Sequence, residues 1–183
     1  LNVMVQAAEK IRAELGSCRF LLPVADSIDP DLIRQRLGDN PLGIQLIEGQ
    51  SYDVMNSCDM LIIASGSATL EAGIIGCPMV IIYKLNPLTY FLAKLLVNAP
   101  LVGLVNIVAE EEVVPELIQN QVTAENISAE VLAVLRAPEK EKAIRDRLLK
   151  IKNTLGKPGV MKVVAKRISV FMDRLSANEK TPI

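Results

Sequence analysis

Short, wholly apolar runs alternate with longer segments of helical periodicity along most of this 183-residue chain. The runs are apolar on both faces, which is typical of parallel strands covered by helices. The alternation therefore predicts an α/β fold with a doubly wound, mainly parallel sheet, in which ligands bind at the carboxyl ends of the strands. Strands are predicted at residues 18–24, 43–48, 60–64, 78–83 and 102–107.

The segments between the strands place apolar residues at helical spacing. Asp29 and Pro30 suit an N-cap and a first helical residue, and Ser51 is a second candidate cap. A boundary is expected at Pro138, where the alternation gives way to consecutive helices, and residues 176–183 are predicted to be a polar, disordered tail. Helices are predicted at residues 3–15, 30–37, 51–57, 70–75, 87–97, 113–120, 123–135, 138–154 and 159–175.

The composition removes several function classes. The chain has no histidine, so it lacks the commonest general base, the usual serine-hydrolase triad and a frequent zinc ligand. Its net charge of −1 argues against a dedicated nucleic-acid-binding protein. Cys18, Cys58 and Cys77 are widely spaced and odd in number, which predicts buried free thiols in a reducing compartment.

A turn of small residues follows the strand at 60–64 and leads into a helix that contains Glu71. Unpaired N–H groups at a helix start carry partial positive charge, and small side chains let a phosphate approach them closely. Glu71 follows within reach of a sugar hydroxyl. The segment predicts a seat for a nucleotide diphosphate with a carboxylate for its ribose. Its turn residues are Ser65, Gly66, Ser67, Ala68 and Thr69.

The same residues also suit a tight connection that binds nothing, because Gly, Ser and Thr are common in turns. Glu71 equally suits a solvated helix position. The segment is neither a Walker motif nor the three-glycine dinucleotide motif. Tyr83 and Lys84 end a predicted strand on the side where ligands bind, although a tyrosine there is more often a packing residue.

Four segments, residues 64–72, 77–84, 87–94 and 102–119, follow one another in a specific combination. The first reads Ala-Ser-Gly-Ser-Ala-Thr-Leu-Glu-Ala, and the last contains Val-Val-Pro-Glu-Leu-Ile-Gln. Together they resemble the lipid-A-disaccharide synthases, glycosyltransferases of the two-domain GT-B architecture. The resemblance covers most of residues 1–135.

The resemblance implies a reaction. Members of this family join UDP-2,3-diacylglucosamine to 2,3-diacylglucosamine 1-phosphate, with inversion, to form a β-1,6-linked disaccharide and UDP. No metal or cofactor is implied, and no nucleic acid. The lipid substrates imply peripheral contact with the cytoplasmic face of the inner membrane in a Gram-negative-type bacterium.

The resemblance also implies a domain organisation. Residues 1–137 would be the UDP-sugar-binding, Rossmann-like C-terminal half of a GT-B fold, and residues 138–175 would return to a missing N-terminal domain or to a partner chain, which leaves a homodimer open. The catalytic base is expected in the missing domain. The family's first strand and its Leu-Pro-Gly-Ser-Arg segment would precede Leu1, so a gap or a rearranged centre is expected in the sheet.

Site residues follow from the same resemblance. The turn from Ser65 to Thr69 would cradle the diphosphate, Glu71 would bind the ribose, and Asn106 would border the donor site. Three positions depart from the family pattern: Val105 replaces a proline, and Glu110 and Glu111 replace a glycine and a basic residue. No role is assigned to these two glutamates.

Two alternatives remain at this stage. One is the donor half of another GT-B enzyme, such as a peptidoglycan glucosaminyltransferase or a UDP-sugar epimerase. The other is a non-catalytic α/β interaction module in which the turn is purely structural.

Overall fold

The structure is a computed structural model that describes residues 1–86, 89, 101–155 and 159–178. The chain divides into two compact units, residues 1–151 and 152–183. The described strands are β1 (Leu21–Val24), β2 (Gln45–Glu48), β3 (Leu61–Ala64), β4 (Met79–Tyr83) and β5 (Glu116–Ile118). The described helices are α1 (Asn2–Leu15), α2 (Pro30–Leu37), α3 (Ser51–Ser57), α4 (Ser67–Ile75), α5 (Leu104–Ala109), α6 (Ala124–Leu135), α7 (Pro138–Thr154) and α8 (Val160–Asn178).

All pairings between the described strands are parallel, as the apolar runs predict. They form two sheets, one of order β1-β2 and one of order β3-β4-β5. β1 and β3 are not paired with each other, so the sheet is discontinuous where the resemblance predicts a gap. That a first strand of a longer chain fills this position stays a prediction.

β4 is the centre of the larger sheet, and helices cover both of its faces. Met79 and Ile81 pack into a core with α4, α5 and α7, whereas Val80 and Ile82 pack into a second core with α1 and α6. Because side chains alternate across a strand, these two cores lie on opposite faces of the sheet. The doubly wound α/β arrangement is therefore confirmed for the three-stranded sheet.

Several elements begin and end where their local sequence predicts. α2 starts at Pro30, and the Asp29 side chain caps it by accepting from the Asp31 amide at 2.9 Å. Thr123 caps α6 in the same way, and α4 ends at Gly76, whose φ of 86° is easily reached only by glycine. α7 has the predicted bounds.

Two predicted elements are wrong in type. Residues 102–107 were expected as a strand but contribute to α5, and residues 113–120 were expected as a helix but contain β5. The β-branched residues of the first segment favour a strand locally. In the structure, the Glu116 carboxylate instead accepts hydrogen bonds from the amides of Val102 and Gly103, and α5 begins directly after them. In the second segment, pairing with β4 satisfies the backbone of Glu116–Ile118 instead.

Other bounds differ less. Ser51 lies within α3 and Gln50 is its N-cap, without a capping side-chain hydrogen bond. α8 continues to Asn178, three residues into the predicted tail, and residues 179–183 lie outside the described part. The helix predicted at 87–97 also lies outside the described residues, apart from Thr89.

The domain assignment of residues 1–137, 138–175 and 176–183 stays a prediction. The first part of α7 belongs to the first unit, where Ile144, Leu148 and Ile151 are buried in the core. None of the helices in the described part of the chain combines the length and the apolar character that crossing a bilayer requires.

Close packing between α4 and α5 supplies a test. A Cβ atom on Gly73 would lie 2.7 Å from Cγ2 of Val105, which is wholly buried and stiff at χ1. We expect Gly73→Ala to lower the free energy of unfolding by about 1–3 kcal/mol, despite the better helix propensity of alanine. Urea denaturation measures this. Ser67→Ala, at an exposed position of the same helix, should change it by less than about 0.5 kcal/mol. Wild-type stability of Gly73→Ala would contradict the packing.

The buried thiol of Cys77 supplies a second test. Burial raises its pKa from 9.0 to about 12, and its Sγ donates a hydrogen bond to the Cys58 carbonyl at 3.2 Å. Since the thiolate is the reactive form, native Cys77 should react with iodoacetamide far more slowly at about pH 8 than the urea-unfolded chain does. Mass spectrometry of the labelled peptide measures the rate of this reaction, and equal rates in the folded and unfolded states would contradict the burial of Cys77.

The same pKa shift makes stability depend on pH. Because the folded state holds the Cys77 proton more tightly than the unfolded state does, the contribution of Cys77 to stability is present below about pH 9 and is lost as the pH rises towards 12.

Candidate functional site

The turn after β3 ends in an open helix N-terminus. The Ser65 amide continues the pairing with β4 by donating to the Ile82 carbonyl at 3.0 Å. α4 then begins at Ser67 with Gly66 as its N-cap, and no side chain caps it. Among the described residues no acceptor is recorded for the amides of Gly66, Ser67 and Ala68. The helix dipole and these amides together favour an anion here.

The surface in front of these amides is accessible. A Cβ atom on Gly66 would meet nothing within 4 Å, and Gly66 and Ser67 are both exposed. The Ser67 hydroxyl has no hydrogen bond to another described residue. A ligand could therefore approach the backbone of Gly66 and Ser67 without moving any side chain that the structure describes.

The other two hydroxyls of the turn are used within the protein. Ser65 Oγ donates to the Val102 carbonyl at 3.0 Å. Thr69 is wholly buried, and its Oγ1 donates to the Gly66 carbonyl at 2.8 Å. These two predicted site residues therefore shape the turn rather than present hydroxyl donors to solvent.

Glu71 lies four residues after Ser67, so the two side chains share a face of α4. Its side chain is partly exposed, and among the described residues it has neither an ion pair nor a hydrogen bond. A half-buried carboxylate that lacks a protein partner retains its full capacity to accept hydrogen bonds from a ligand.

Asn106 lies in α5 and is wholly buried. Its Oδ1 accepts from the amides of Val113 and Val114 at 2.9 and 3.1 Å, and its Nδ2 donates to the Val114 carbonyl and to Glu116 Oε1, both at 2.8 Å. All four hydrogen-bonding positions of the amide are thus occupied inside the protein. The Asn106 side chain therefore has no free hydrogen-bonding position to offer a ligand, and its role at the edge of a donor site stays a prediction.

Glu116, which the sequence reasoning missed, connects Asn106 to the turn. Its Oε2 accepts from the backbone amide of Val102, and its Oε1 accepts from the backbone amide of Gly103 and from Nδ2 of Asn106, each at 2.8 Å. Val102 in turn accepts from Ser65. The sequence did contain a signal for Glu116, because it is the only charged residue in the apolar run Val-Val-Pro-Glu-Leu-Ile. Its contacts were not anticipated because this segment was predicted as a helix and not as a strand.

The three departures from the family pattern lie in different structural settings. Val105 is buried against Gly73 in the core. Glu110 ends α5 with φ 56°, a left-handed conformation in which the glycine of the family pattern is free of steric cost. Glu111 pairs with Arg147 at 2.8 Å, and this hydrogen-bonded guanidinium lowers the pKa of the Glu111 carboxyl. The reversed charge is thus matched by an arginine of α7.

The end of β4 lies beside the turn. Lys84 follows that strand, is exposed, and has no partner among the described residues. The next residue, Leu85, donates its backbone amide to Oε1 of Gln119 at 2.8 Å.

A surface cleft of about 470 Å³ between α1 and the start of α6 contains none of the predicted site residues. Within the described ranges, no three Cys, Asp or Glu side chains are grouped so that they could hold a metal ion.

Removal of the Asn106 amide should be costly. Asn106→Ala would leave the buried amides of Val113 and Val114 without acceptors, so we expect the free energy of unfolding to fall by about 1–3 kcal/mol. Chemical denaturation measures the loss. Asn120→Ala, at an exposed residue beyond β5, should change the stability by less than about 0.5 kcal/mol. Similar stabilities of the two variants would contradict the structural role of Asn106.

Comparison with known proteins identifies the family. A family model described as lipid-A-disaccharide synthetase matches residues 1–164. The lipid-A-disaccharide synthase of Syntrophus aciditrophicus is 39% identical over 160 residues, which are 87% of this chain and 42% of the relative. That of Nitrosococcus oceani is 38% identical over 165 residues, covering 90% of this chain and 42% of the relative. That of Syntrophotalea carbinolica is 35% identical over 179 residues, 98% of this chain and 46% of the relative.

The chain spans less than half the length of these curated relatives. Among solved structures, a chain from work on EarP-mediated arginine glycosylation of translation elongation factor EF-P matches 88% of this chain and 55% of its own length, with 15% identity and a TM-score of 0.46. The family model covers far more than half of the sequence, and the chain belongs to the lipid-A-disaccharide synthetase family.

Proposed function

We propose that this chain is the donor-binding part of a glycosyltransferase that makes the lipid A disaccharide. The donor is UDP-2,3-diacylglucosamine, the acceptor is 2,3-diacylglucosamine 1-phosphate, and the products are the β-1,6-linked disaccharide and UDP. Family membership supports the reaction, and the open N-terminus of α4 beside an unpartnered carboxylate is the observation that supports donor binding.

The proposed contacts follow from the free groups of the turn. The amides of Gly66, Ser67 and Ala68 and the Ser67 hydroxyl donate to the diphosphate, and the Glu71 carboxylate accepts from the ribose hydroxyls. Ser65, Thr69 and Asn106 act by holding the turn and its neighbouring loop in shape. Lys84, at the end of the adjacent strand, adds a cation at the same edge of the sheet.

These contacts matter most as the bond to the donor breaks. The 6-hydroxyl oxygen of the acceptor forms a bond to the anomeric carbon, the bond from that carbon to the diphosphate oxygen breaks, and the hydroxyl proton passes to a base. Negative charge develops on the departing UDP, and fixed donors at such an anion are typically worth about 2.7–4 kcal/mol each. The base itself is proposed to lie outside this chain.

The C-terminal segment suits a contact with another surface. α8 carries exposed apolar side chains, among them Met161 (81% exposed) and Phe171 (61%), next to the basic residues Lys166 and Arg167. We propose that residues 138–175 return to the remainder of the longer protein or to a second copy. Peripheral contact with the cytoplasmic face of the inner membrane belongs to the same proposal, because both substrates carry acyl chains.

Titration with UDP tests donor binding. Ser67→Ala removes a hydroxyl donor and should weaken UDP binding about 3- to 10-fold, and Glu71→Ala removes the ribose acceptor and should weaken it about 10-fold or more. Isothermal titration calorimetry measures both. Uridine should bind far more weakly than UDP, because it lacks the diphosphate that the helix N-terminus attracts.

Matched controls separate the site from general effects. Glu112→Ala is the control for Glu71→Ala, and Ser17→Ala is the control for Ser67→Ala. Both controls change exposed residues that lie outside the proposed site, so neither should alter UDP affinity. Failure of the chain to bind UDP, or binding that neither site variant weakens, would contradict the proposal. That result would favour an interaction module in which the turn is only structural.

A further inference from the structure

Glu116 has an unusual environment for a residue that starts a strand at the edge of its sheet, since β5 pairs with β4 alone among the described strands. Its carboxylate receives three hydrogen bonds at 2.8 Å, from the Val102 and Gly103 amides and from the Asn106 side chain. These donors lie 10 to 14 residues earlier in the chain. A carboxylate with three short N–H donors is held in one orientation, and it holds the donors in return.

The loop that Glu116 holds is packed closely against β4 at Gly103. A Cβ atom on Gly103 would lie 2.3 Å from Cδ1 of Ile81 and 3.0 Å from Glu116 Oε1, so the backbone at Gly103 lies directly against β4. Asn106 is itself fixed by the amides of Val113 and Val114. The position of the Val102 carbonyl is therefore set by Glu116 from one side and by packing from the other.

The Val102 carbonyl is the acceptor for Ser65 Oγ, at 3.0 Å, and Ser65 is the first residue of the turn that leads into α4. A continuous path of hydrogen bonds thus runs from Glu116 through Val102 to Ser65. It ends next to the unpaired amides of Gly66 and Ser67.

We propose that Glu116 is a positioning residue for the diphosphate-binding turn. It holds Val102 so that the Ser65 hydroxyl is tethered, and the tether fixes where the amides of Gly66, Ser67 and Ala68 point. This inference rests on the proposed function, since it assigns a cause to the geometry of that donor site. Glu116 touches no ligand and acts through Val102.

Glutamine is the informative substitution at this position. Glu116→Gln keeps the size of the side chain, but one of its two terminal atoms becomes an NH₂ group that faces an amide donor. The hydrogen bond to either Val102 or to the Gly103 and Asn106 donors is then lost. The matched control is Glu112→Gln, which makes the same charge change at an exposed glutamate with no recorded partner in the described chain.

A double-mutant cycle on UDP affinity distinguishes positioning from general destabilisation. We expect Glu116→Gln and Ser65→Ala each to weaken UDP binding by about 5-fold, and the double variant to be weakened by little more than either single variant. Coupling of this kind arises only if the two residues act through the same tether. Independent effects, which would multiply to about 25-fold, would overturn the proposal, and so would Glu116→Gln binding UDP as tightly as Glu112→Gln does.

Hydrogen exchange tests the tether without any ligand. The Ser65 amide bonds to Ile82, and the Thr69 amide bonds to the Gly66 carbonyl. Both amides should exchange faster by NMR in Glu116→Gln and in Ser65→Ala than in the wild type or in Glu112→Gln. Unchanged exchange in Glu116→Gln would overturn the tether even if UDP binds. Conversely, a wild-type chain that binds no UDP but shows faster exchange in Glu116→Gln would refute only the donor site and would leave Glu116 as the residue that positions the turn.

Discussion

The hydrogen bonds between Asn106 and Glu116 hold together the part of the fold on which the candidate site is built. Asn106 fixes the segment at Val113 and Val114, and Glu116 fixes the start of α5 through Val102 and Gly103. The Asn106 side chain is wholly buried and Glu116 is partly buried, and complete pairing of such polar groups makes a network rigid. The turn at Ser65 receives its tertiary anchor from this network.

The rest of the first unit supports that anchor from two sides of β4. One core, with α4, α5 and α7, keeps the N-terminus of α4 at the end of β3, and the other, with α1 and α6, covers the opposite face. β4 is nearly inaccessible, whereas β3 is partly exposed, as expected of a strand that pairs with one other described strand only. A parallel sheet normally has both faces and its internal edges covered, so the open position beside β3 suits an additional strand.

Local sequence predicted the elements whose signals lie within a few residues. Asp29 and Pro30 started α2 as expected, and Pro138 opened a helix with the predicted bounds. The helix predicted at 123–135 begins one residue later, with Thr123 as its N-cap. Prediction failed at α5 and β5, where local preference and tertiary contacts disagree. Val105 and Ile107 favour a strand by themselves, yet Glu116 and the core position the segment as a helix. The Glu116 contact is made to Gly103, the N-cap of α5, which lies 13 residues earlier in the chain.

The candidate site also has features that local sequence predicts and features that only tertiary contacts decide. The sequence alone determined that small residues join a strand to a helix containing Glu71, because strand, turn and helix-start signals are encoded by adjacent residues. The start of the helix was wrong by three residues, since α4 begins at Ser67 and not at Leu70. Only the tertiary structure decided that Ser67 and Glu71 are free while Ser65, Thr69 and Asn106 are occupied, and that Glu116 connects them. The hydrogen bonds of Ser65 and Glu116 join residues that are 10 to 37 positions apart in the chain, so their partners are chosen by how the helices and strands pack and not by local sequence preference.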